Sequence, residues 1–536
     1  MTPISPPAAR SRLGTLANTL VVAGSYFLSR ILGLIREIII SHQYGTSAQL
    51  DAFRATFGII DLIYIVIAGG ALGSAFIPVF AGFLAQKRER AAWRLASALF
   101  HLALAGLVAA CALIAVLAEP IVAATVGRGF DPETRALTVW LLRLMIVQPL
   151  LLGLGGLAKA TLESFDRFAL PALASNVYNV GIILGALLAP WLGVNGLVIG
   201  VILGALGFVV VQLPGLRDVG AQYHQYAWLD APGVGQVGRL IGPRLFGQAV
   251  WQINMLAIAS FASLVGSGAV AANGYALQLM MLPHGLLALS VGTVIFPQLS
   301  RAMASGDRAG VRVRALGALR TVLFVALPAS ALMGALGVPI VRLLFERGAF
   351  DATSTQLTSQ ALHYYLYGLA AFTGSEIAVR TFYAMQDTRT PVAIGAVAVI
   401  ANIGLGWGLL QAGAGLAGLA LAFSIANTLE LALLLALLGR KLGTLGAGFW
   451  WAVARMALAA LLMLGGLLAF RAWTAPLVPA ILAGAPYRWP QDFVPLALWT
   501  ACATLVGAGV YAGLALLLRI PELRAVAERV VRRRVL

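Results

Sequence analysis

Charge is scarce in this chain: Asp, Glu, Lys and Arg make up 11% of its 536 residues, against about 25% in soluble domains. Lysine occurs only at Lys87, Lys159 and Lys441, and none stands in the Gly-Lys-Ser/Thr setting of a phosphate-cradling loop, which excludes a P-loop motor. Cysteine is limited to Cys111 and Cys502, far apart in apolar runs, so neither a disulfide framework nor a thiolate metal cage is expected. The histidines (His42, His101, His224, His284 and His363) are scattered, and no His-Glu-x-x-His, Cys-x-x-Cys or Gly-x-Ser-x-Gly motif occurs. The connections between apolar runs leave no room for a catalytic or nucleotide-binding domain. No enzymatic activity, metal or cofactor is expected.

What fills the chain is apolar. Hydrophobic residues reach 60%, mean hydropathy is +0.90, and many runs exceed the roughly 20 residues that span a bilayer. An all-α polytopic membrane protein follows, and a soluble, disordered or peripheral protein is excluded. The net charge of +17 would point to nucleic acid in a soluble domain. In a polytopic chain, basic residues set topology instead, so no nucleic-acid partner is expected.

Hydropathy and turn signals predict fourteen transmembrane helices, over 16–42, 50–85, 93–118, 136–162, 169–190, 194–216, 237–264, 271–300, 316–342, 357–386, 391–411, 416–438, 449–471 and 496–519. One set of alternate loops holds Lys87, Arg88, Arg90 and Arg94, then Arg167, Arg217, Arg239, Arg301, Arg308, Arg312, Arg314, Arg389, Arg440 and Lys441. The termini join it through Arg10 and Arg12 and through Arg524, Arg529 and Arg532 to Arg534. The opposite loops hold little beyond Arg128, Arg135, Arg347 and Arg488. This alternation places both termini in the cytoplasm and requires an even number of spans.

The chain also repeats itself. Gly73-Ser-Ala-Phe-Ile-Pro78 recurs as Gly292-Thr-Val-Ile-Phe-Pro297, and Arg128-Gly129 as Arg347-Gly348, both displaced by 219 residues. With six spans per repeat the halves share orientation, which predicts two six-helix lobes around a central cavity. The expected division is an N-lobe over 1–230, a C-lobe over 231–442 and a C-terminal helix pair over 443–536.

Ionisable groups inside a bilayer are costly and face a partner or a cavity. The first span carries Arg30, Arg36 and Glu37, and the second carries Asp51, Arg54 and Asp61. Two arginines and one glutamate within eight residues leave net positive charge, which suits a phosphate-bearing ligand held by paired Arg hydrogen bonds. Glu37 has two readings: an anchor for Arg36 or Arg30, or an exchanger of protons or cations during a transport cycle. Glu376 and Arg380, one turn apart, read as a self-satisfied pair. Glu430 has a structural reading, a contact to Asn402 or Asn427, beside a functional one. Gly69, Gly70 and Pro78 in one repeat and Pro283, Gly292 and Pro297 in the other interrupt corresponding spans, as hinges would; close packing through small residues is the competing reading.

Several stretches carry a family resemblance. Ser29-Arg30-Ile-Leu-Gly33-Leu-Ile-Arg36-Glu37, Tyr44-Gly45, Asp51-Ala52-Phe53 and Ala75-Phe76-Ile77-Pro78-Val79 resemble the opening of the MurJ (MviN) lipid II flippase family. Arg347-Gly-Ala-Phe350-Asp351 and Phe382-Tyr383-Ala-Met-Gln386-Asp387-Thr388-Arg389-Thr390-Pro391 resemble its second half. The resemblance implies the multidrug/oligosaccharidyl-lipid/polysaccharide exporter fold, alternating access, and outward flipping of lipid II for cell-wall synthesis across the bacterial cytoplasmic membrane. It implies Arg30 and Arg36 in the cavity, Glu37 as the family's acid, Asp51 at the outer gate, and a groove for the polyprenyl tail in the last two helices; Asp61 is the second candidate gate residue.

The chain departs from the family pattern at Gly58, Tyr64, Ile65 and Gly69 on the second span, and at Gln278 and Met281 on the eighth. Arg54, one turn before Gly58, is the candidate replacement for a lost basic group, with Gln278 on the substrate in place of the family's arginine. The expected partners are a lipid-linked glycan and membrane lipids, with a proton or sodium ion as coupling cation and a monomer as the working unit. The alternatives are a flippase for another lipid-linked oligosaccharide and a cation-coupled multidrug antiporter.

Overall fold

In hydrocarbon every backbone polar group must be satisfied within the chain, so long α-helices are the local solution for runs this apolar. The computed structural model describes residues 12–67, 70–482 and 484–523. Apart from short 3-10 turns at Val126–Arg128 and Pro479–Ile481, every element in them is an α-helix. Arg10, Gly69, Arg524, Arg529 and Arg532 to Arg534 lie outside the described residues.

The chain forms two compact units, one of residues 1–44 and 48–256, the other of residues 45–47 and 257–536. The first contains α1 (Arg12–Tyr44), α2 (Ala48–Ile67), α3 (Gly70–Ala85), α4 (Glu89–Val116), α5 (Ala118–Ala124), α6 (Pro132–Met145), α7 (Val147–Ser164), α8 (Ala169–Leu187), α9 (Ala189–Leu192), α10 (Val194–Val210) and α11 (Leu213–Asp218). α12 (Val234–Ser263) starts in the first unit and ends in the second. The second then holds α13 (Ala269–Ala304), α14 (Arg308–Leu344), α15 (Ala352–Ala384), α16 (Arg389–Gln411), α17 (Gly415–Leu442), α18 (Ala447–Thr474) and α19 (Phe493–Leu517).

Among the described residues, ten helical segments are long and apolar enough to cross a bilayer. The eleventh candidate is α12, whose halves Val234–Gly242 and Gly247–Ser263 meet at 47°. Pro243 lies in that bend and removes a backbone donor, the usual cause of a sharp kink. The sequence reading of fourteen spans goes beyond this count. Over the predicted span 50–85, the described residues form α2 and α3. α15 is helical as expected, but His363, Tyr364, Tyr365, Glu376 and Arg380 make it more polar than its neighbours.

The internal repeat is written into the backbone as well as the side chains. α3 ends through Lys87 in the left-handed region (φ 58°) and α13 ends through Gly306 (φ 75°), 219 positions later. In both turns the next residue closes back on the helix: Arg88 N–H donates to Phe83 O, and Asp307 N–H to Ala302 O. α7 and α15 end the same way, through Asp166 (φ 58°) and Gln386 (φ 61°). These are left-handed C-terminal caps that satisfy carbonyls at the helix end. The helices after the two Arg-Gly turns also start alike. Asp131 caps α6 by accepting from Glu133 N and Thr134 N, and Asp351 caps α15 by accepting from Ser354 N.

Glycine sets one close helix pair. Gly181 and Gly185 on α8 face Gly200 and Gly204 on α10, where a Cβ on Gly200 would stand 2.6 Å from the Gly185 Cα. Without side chains at these positions the backbones touch, the packing that four-residue spacing of small residues allows in membranes. This fixes α8 against α10 and so fixes what α8 presents to α1.

In the second unit α18 and α19 pack on α14. Met456, Ala459, Met463, Ala503 and Ala515 share one apolar core with Val322 and Leu336. Tyr511 donates its hydroxyl to Phe324 O at 2.9 Å, closing that contact.

Candidate functional site

The charged residues of the first two spans converge. Arg36 and Glu37 sit on α1 and Arg54 on α2, and one carboxylate serves both guanidinium groups. Arg36 Nη2 donates to Glu37 Oε1 at 2.9 Å, and Arg54 Nη2 donates to Oε2 at 2.6 Å. The Glu37 side chain is 6% exposed while those of Arg36 and Arg54 are 23% and 19% exposed. The acid is therefore the buried pivot, and the two cations are the parts that reach open space. Two guanidiniums on one carboxylate leave a net positive charge in a setting of low dielectric, where charge-assisted bonds are strong.

Arg36 has a second anchor that the sequence reading missed. Its Nη1 donates to Asn179 Oδ1 at 3.0 Å, and Asn179 Nδ2 donates in turn to Ser29 Oγ at 3.3 Å and to Ser175 O at 3.1 Å. Glu37 and Asn179 thus hold Arg36 from two sides. The signal was present as Asn176-x-x-Asn179, two amides one turn apart in an otherwise apolar span. Asn176 is buried at 4% exposure, and neither its Oδ1 nor its Nδ2 has a hydrogen-bond partner. Nearby on α7, Gln148 Nε2 donates to the Tyr178 hydroxyl at 3.1 Å, and the charges of Asp61 and Arg36 both act on that tyrosine. The first unit therefore holds polar groups from α1, α2, α7 and α8.

The other predicted residues are placed as follows. Arg30 is exposed on α1, and the Glu37 carboxylate is bonded by Arg36 and Arg54. Asp51 is fully buried near the start of α2, and Asp61 is half-buried near its end. Gln278 is half-buried on α13 in the second unit. Gly70 opens α3 and Pro78 is exposed within it. Pro283, Gly292 and Pro297 all lie inside the one helix α13.

The second unit has a smaller charged group. Arg380 Nε donates to Glu376 Oε1 at 2.8 Å, the one-turn pair read from the sequence. A Cβ at Gly292 would lie 2.6 Å from Arg380 Nε, so this glycine makes room for the guanidinium. Glu376 also acts electrostatically on Glu430.

One buried cation escaped the sequence reading. Arg342, near the end of α14, has no exposed side-chain surface and bonds Glu346 at 2.9 Å. It donates as well to Ala480 O at 2.6 Å, Leu482 O at 3.0 Å and Ala485 O at 2.7 Å. These partners are structural, and through them this arginine holds the α18–α19 connection.

Residues 40–483 match the family described as Lipid II flippase MurJ. The chain is 33% identical over 384 residues to the lipid II flippase MurJ of Burkholderia cenocepacia, covering 70% of this chain and 74% of that one. It is 32% identical over 538 residues to the probable lipid II flippase MurJ of Vibrio cholerae, covering 96% and 98% of the two chains. Its fold is similar to a solved lipid II flippase MurJ in an inward closed conformation, with TM-score 0.77, 24% identity and coverage of 93% and 99%. It is also similar to an inward-facing multidrug resistance MATE family transporter of the MOP superfamily, with TM-score 0.68, 15% identity and coverage of 77% and 94%.

Proposed function

The chain belongs to the lipid II flippase MurJ family, and from that premise we propose that it carries lipid II from the inner to the outer leaflet of the bacterial cytoplasmic membrane by alternating access. The family is one of transporters, not enzymes. The observation that carries the reading is the Arg36–Glu37–Arg54 cluster, a net positive, partly open group inside an apolar helical unit. A pyrophosphate is the ligand such a cluster suits, because planar guanidiniums offer paired donors to phosphate oxygens.

In this reading Arg36 and Arg54 bind the pyrophosphate, with Arg30 and Gln278 completing the set. Glu37 and Asn179 position Arg36. Asp51 and Asp61 act at the gates, while Gly69, Gly70, Pro78, Pro283, Gly292 and Pro297 supply bending points. The chain crosses the membrane fourteen times with both termini in the cytoplasm, as an N-lobe over 1–230, a C-lobe over 231–442 and a helix pair over 443–536 that holds the tail. The working unit is a monomer. Outward movement of an anionic head group against an inside-negative potential is downhill by roughly 2.3 kcal/mol per charge per 100 mV. A returning proton or sodium ion resets the carrier.

The test is rescue of a bacterium depleted of its own lipid II flippase, with surface-exposed lipid II assayed at matched expression of wild type and Arg36→Ala. Rescue by wild type and not by the variant is the expected result. Failure of a folded, membrane-inserted wild type would reassign the substrate to another lipid-linked glycan, with Gln278 and Met281 as the departures responsible.

A further inference from the structure

The segment between α11 and α12 is ordered, yet it turns its largest side chains outward. Tyr226 is 84% exposed, Leu229 74% and Tyr223 65%. Their exposure does not come from looseness, because the segment is fastened to α4 by five contacts. His101 is buried and bonds Ala227 O through Nδ1 at 2.8 Å and the Tyr223 hydroxyl through Nε2 at 2.6 Å. A carbonyl only accepts, so Nδ1 carries the proton. Ser97 Oγ accepts from His224 N at 2.9 Å, Trp228 stacks on His101 with ring centroids 5.2 Å apart, and Arg94 pairs with Asp230 at 3.1 Å.

Between this segment and α4 lies a cavity of about 400 Å³, lined by Arg94, Tyr223, His224, Gln225, Tyr226 and Ala227. Arg94 uses only Nη2 on Asp230. His224 Nε2 is buried and has no hydrogen-bond partner. A cationic fork and an unused imidazole nitrogen at one concave surface fit an anionic oxygen group. The stretches that carry these residues, 87–94 and 217–230, are net positive in sequence: Lys87, Arg88, Arg90, Arg94 and Arg217 against Glu89, Asp218 and Asp230. Exposed tyrosine and tryptophan beside basic residues at the ends of membrane helices are the composition of the headgroup level.

We propose that this cavity is a binding site for the phosphate headgroup of an anionic phospholipid, with Tyr226, Trp228 and Leu229 seated in the membrane interface. The lipid is a neighbour in the bilayer, distinct from the transported substrate, and the site is separate from the Arg36–Glu37–Arg54 cluster. Arg94 and His224 hold the phosphate; the aromatic side chains hold the glycerol level. The proposal goes beyond the transport reading and stands whether or not lipid II is the substrate.

Hydrogen exchange of the full chain tests it in nanodiscs of phosphatidylcholine alone and of phosphatidylcholine mixed with phosphatidylglycerol. Amides of residues 219–233 are expected to exchange about fivefold more slowly in the mixed discs, the effect of about one basic group near an anionic surface. Arg94→Gln should abolish that difference, and Tyr226→Ser, which alters an exposed side chain, should reduce it. Equal exchange in the two discs would overturn the proposal, as would an undiminished difference in Arg94→Gln. Should Arg94→Gln already loosen the segment in pure phosphatidylcholine, His224→Phe decides: the lipid-dependent difference must vanish there too. Inorganic phosphate added to phosphatidylcholine discs should change nothing. The same slowing by phosphate would mark a site for soluble anions and overturn the lipid assignment.

Discussion

Arg54 and Glu37 meet at 2.6 Å between α2 and α1, on the carboxylate oxygen that Arg36 leaves unused. Glu37 is thus committed on both oxygens, and neither arginine is held by the acid alone in a simple pair. Removing one member of a buried charge group costs about 3–5 kcal/mol, because the remaining charges lose compensation. Glu37→Gln should therefore lower both the thermal stability of the purified chain and the surface-exposed lipid II, the latter by more than about tenfold. Glu37→Gln/Arg54→Gln, which restores charge balance around Arg36, should recover stability while transport stays low. Recovery of transport in the double variant would assign Arg54 a structural role only.

Asn179 contributes differently. It carries no charge, so its loss leaves the electrostatics of the cluster intact and frees only the orientation of Arg36. A hydrogen bond to a charged group contributes about 1.5–3 kcal/mol. Asn179→Ala should preserve the fold and reduce flipping by about tenfold, whereas Asn179→Asp should tighten Arg36 and reduce flipping by neutralising the positive site. Both are read by surface lipid II at matched membrane levels; wild-type flipping in Asn179→Ala would remove this residue from the site.

The residues that could be read from the sequence were those whose role is local. The Glu376–Arg380 pair follows from one-turn spacing, and the repeat follows from motifs that recur at one displacement, with caps at Lys87 and Gly306 to match. Arg36, Glu37 and Arg54 were legible as costly charges in apolar runs, but their meeting was not, because it depends on how α2 lies beside α1. Asn179 is not singled out by the sequence, since amides such as Asn176 and Asn179 in a membrane helix have many structural uses. Arg342 was hidden by its place at the end of a predicted span, where an arginine ordinarily reaches the interface; here it turns inward to three carbonyls more than a hundred residues away. By length and hydropathy the described helices support ten or eleven spans; the predicted spans outside that count are those of α1, of α2 with α3, and of α15, where the charged and polar residues Arg30, Arg36, Glu37, Asp51, Arg54, Asp61, Glu376 and Arg380 lie.

Asp387 gives the fold a pH dependence outside the membrane spans. Burial would raise its carboxyl, but bonds from Lys441 and Thr390 outweigh that and hold it down at about 2. An ordinary aspartate titrates near 3.9. Folded below unfolded means the ionised form is favoured by folding, so the contribution is complete above about pH 4 and is lost as pH falls towards 2. Thermal melts of wild type and Asp387→Asn should therefore differ at neutral pH and converge in acid. A gap that persists to the lowest pH would show that Asp387 acts through packing rather than charge.

The last prediction concerns Arg342, which contributes nothing to the proposed transport chemistry and yet fixes a long connection. Its guanidinium bonds Glu346 and three carbonyls of residues 480–485, while Thr355 donates to the same Glu346 oxygen at 2.6 Å. Next to it, Arg347 lies 4.7 Å from the centre of the Trp489 ring. Arg342→Met would leave a buried carboxylate beside Thr355 and strip three loop carbonyls of their donor, at about 3–5 kcal/mol. Arg342→Met/Glu346→Leu removes both charges in similar volume, so the carboxylate term disappears and only the loop carbonyls stay unmet. The single variant should melt lower than the double variant, and both should open residues 475–492 to protease while the helices stay protected. If the connection is only fastened by Arg342 and takes no part in the cycle, the double variant flips lipid at the wild-type rate. A loss of flipping in a stable double variant would instead place the α18–α19 connection among the moving parts.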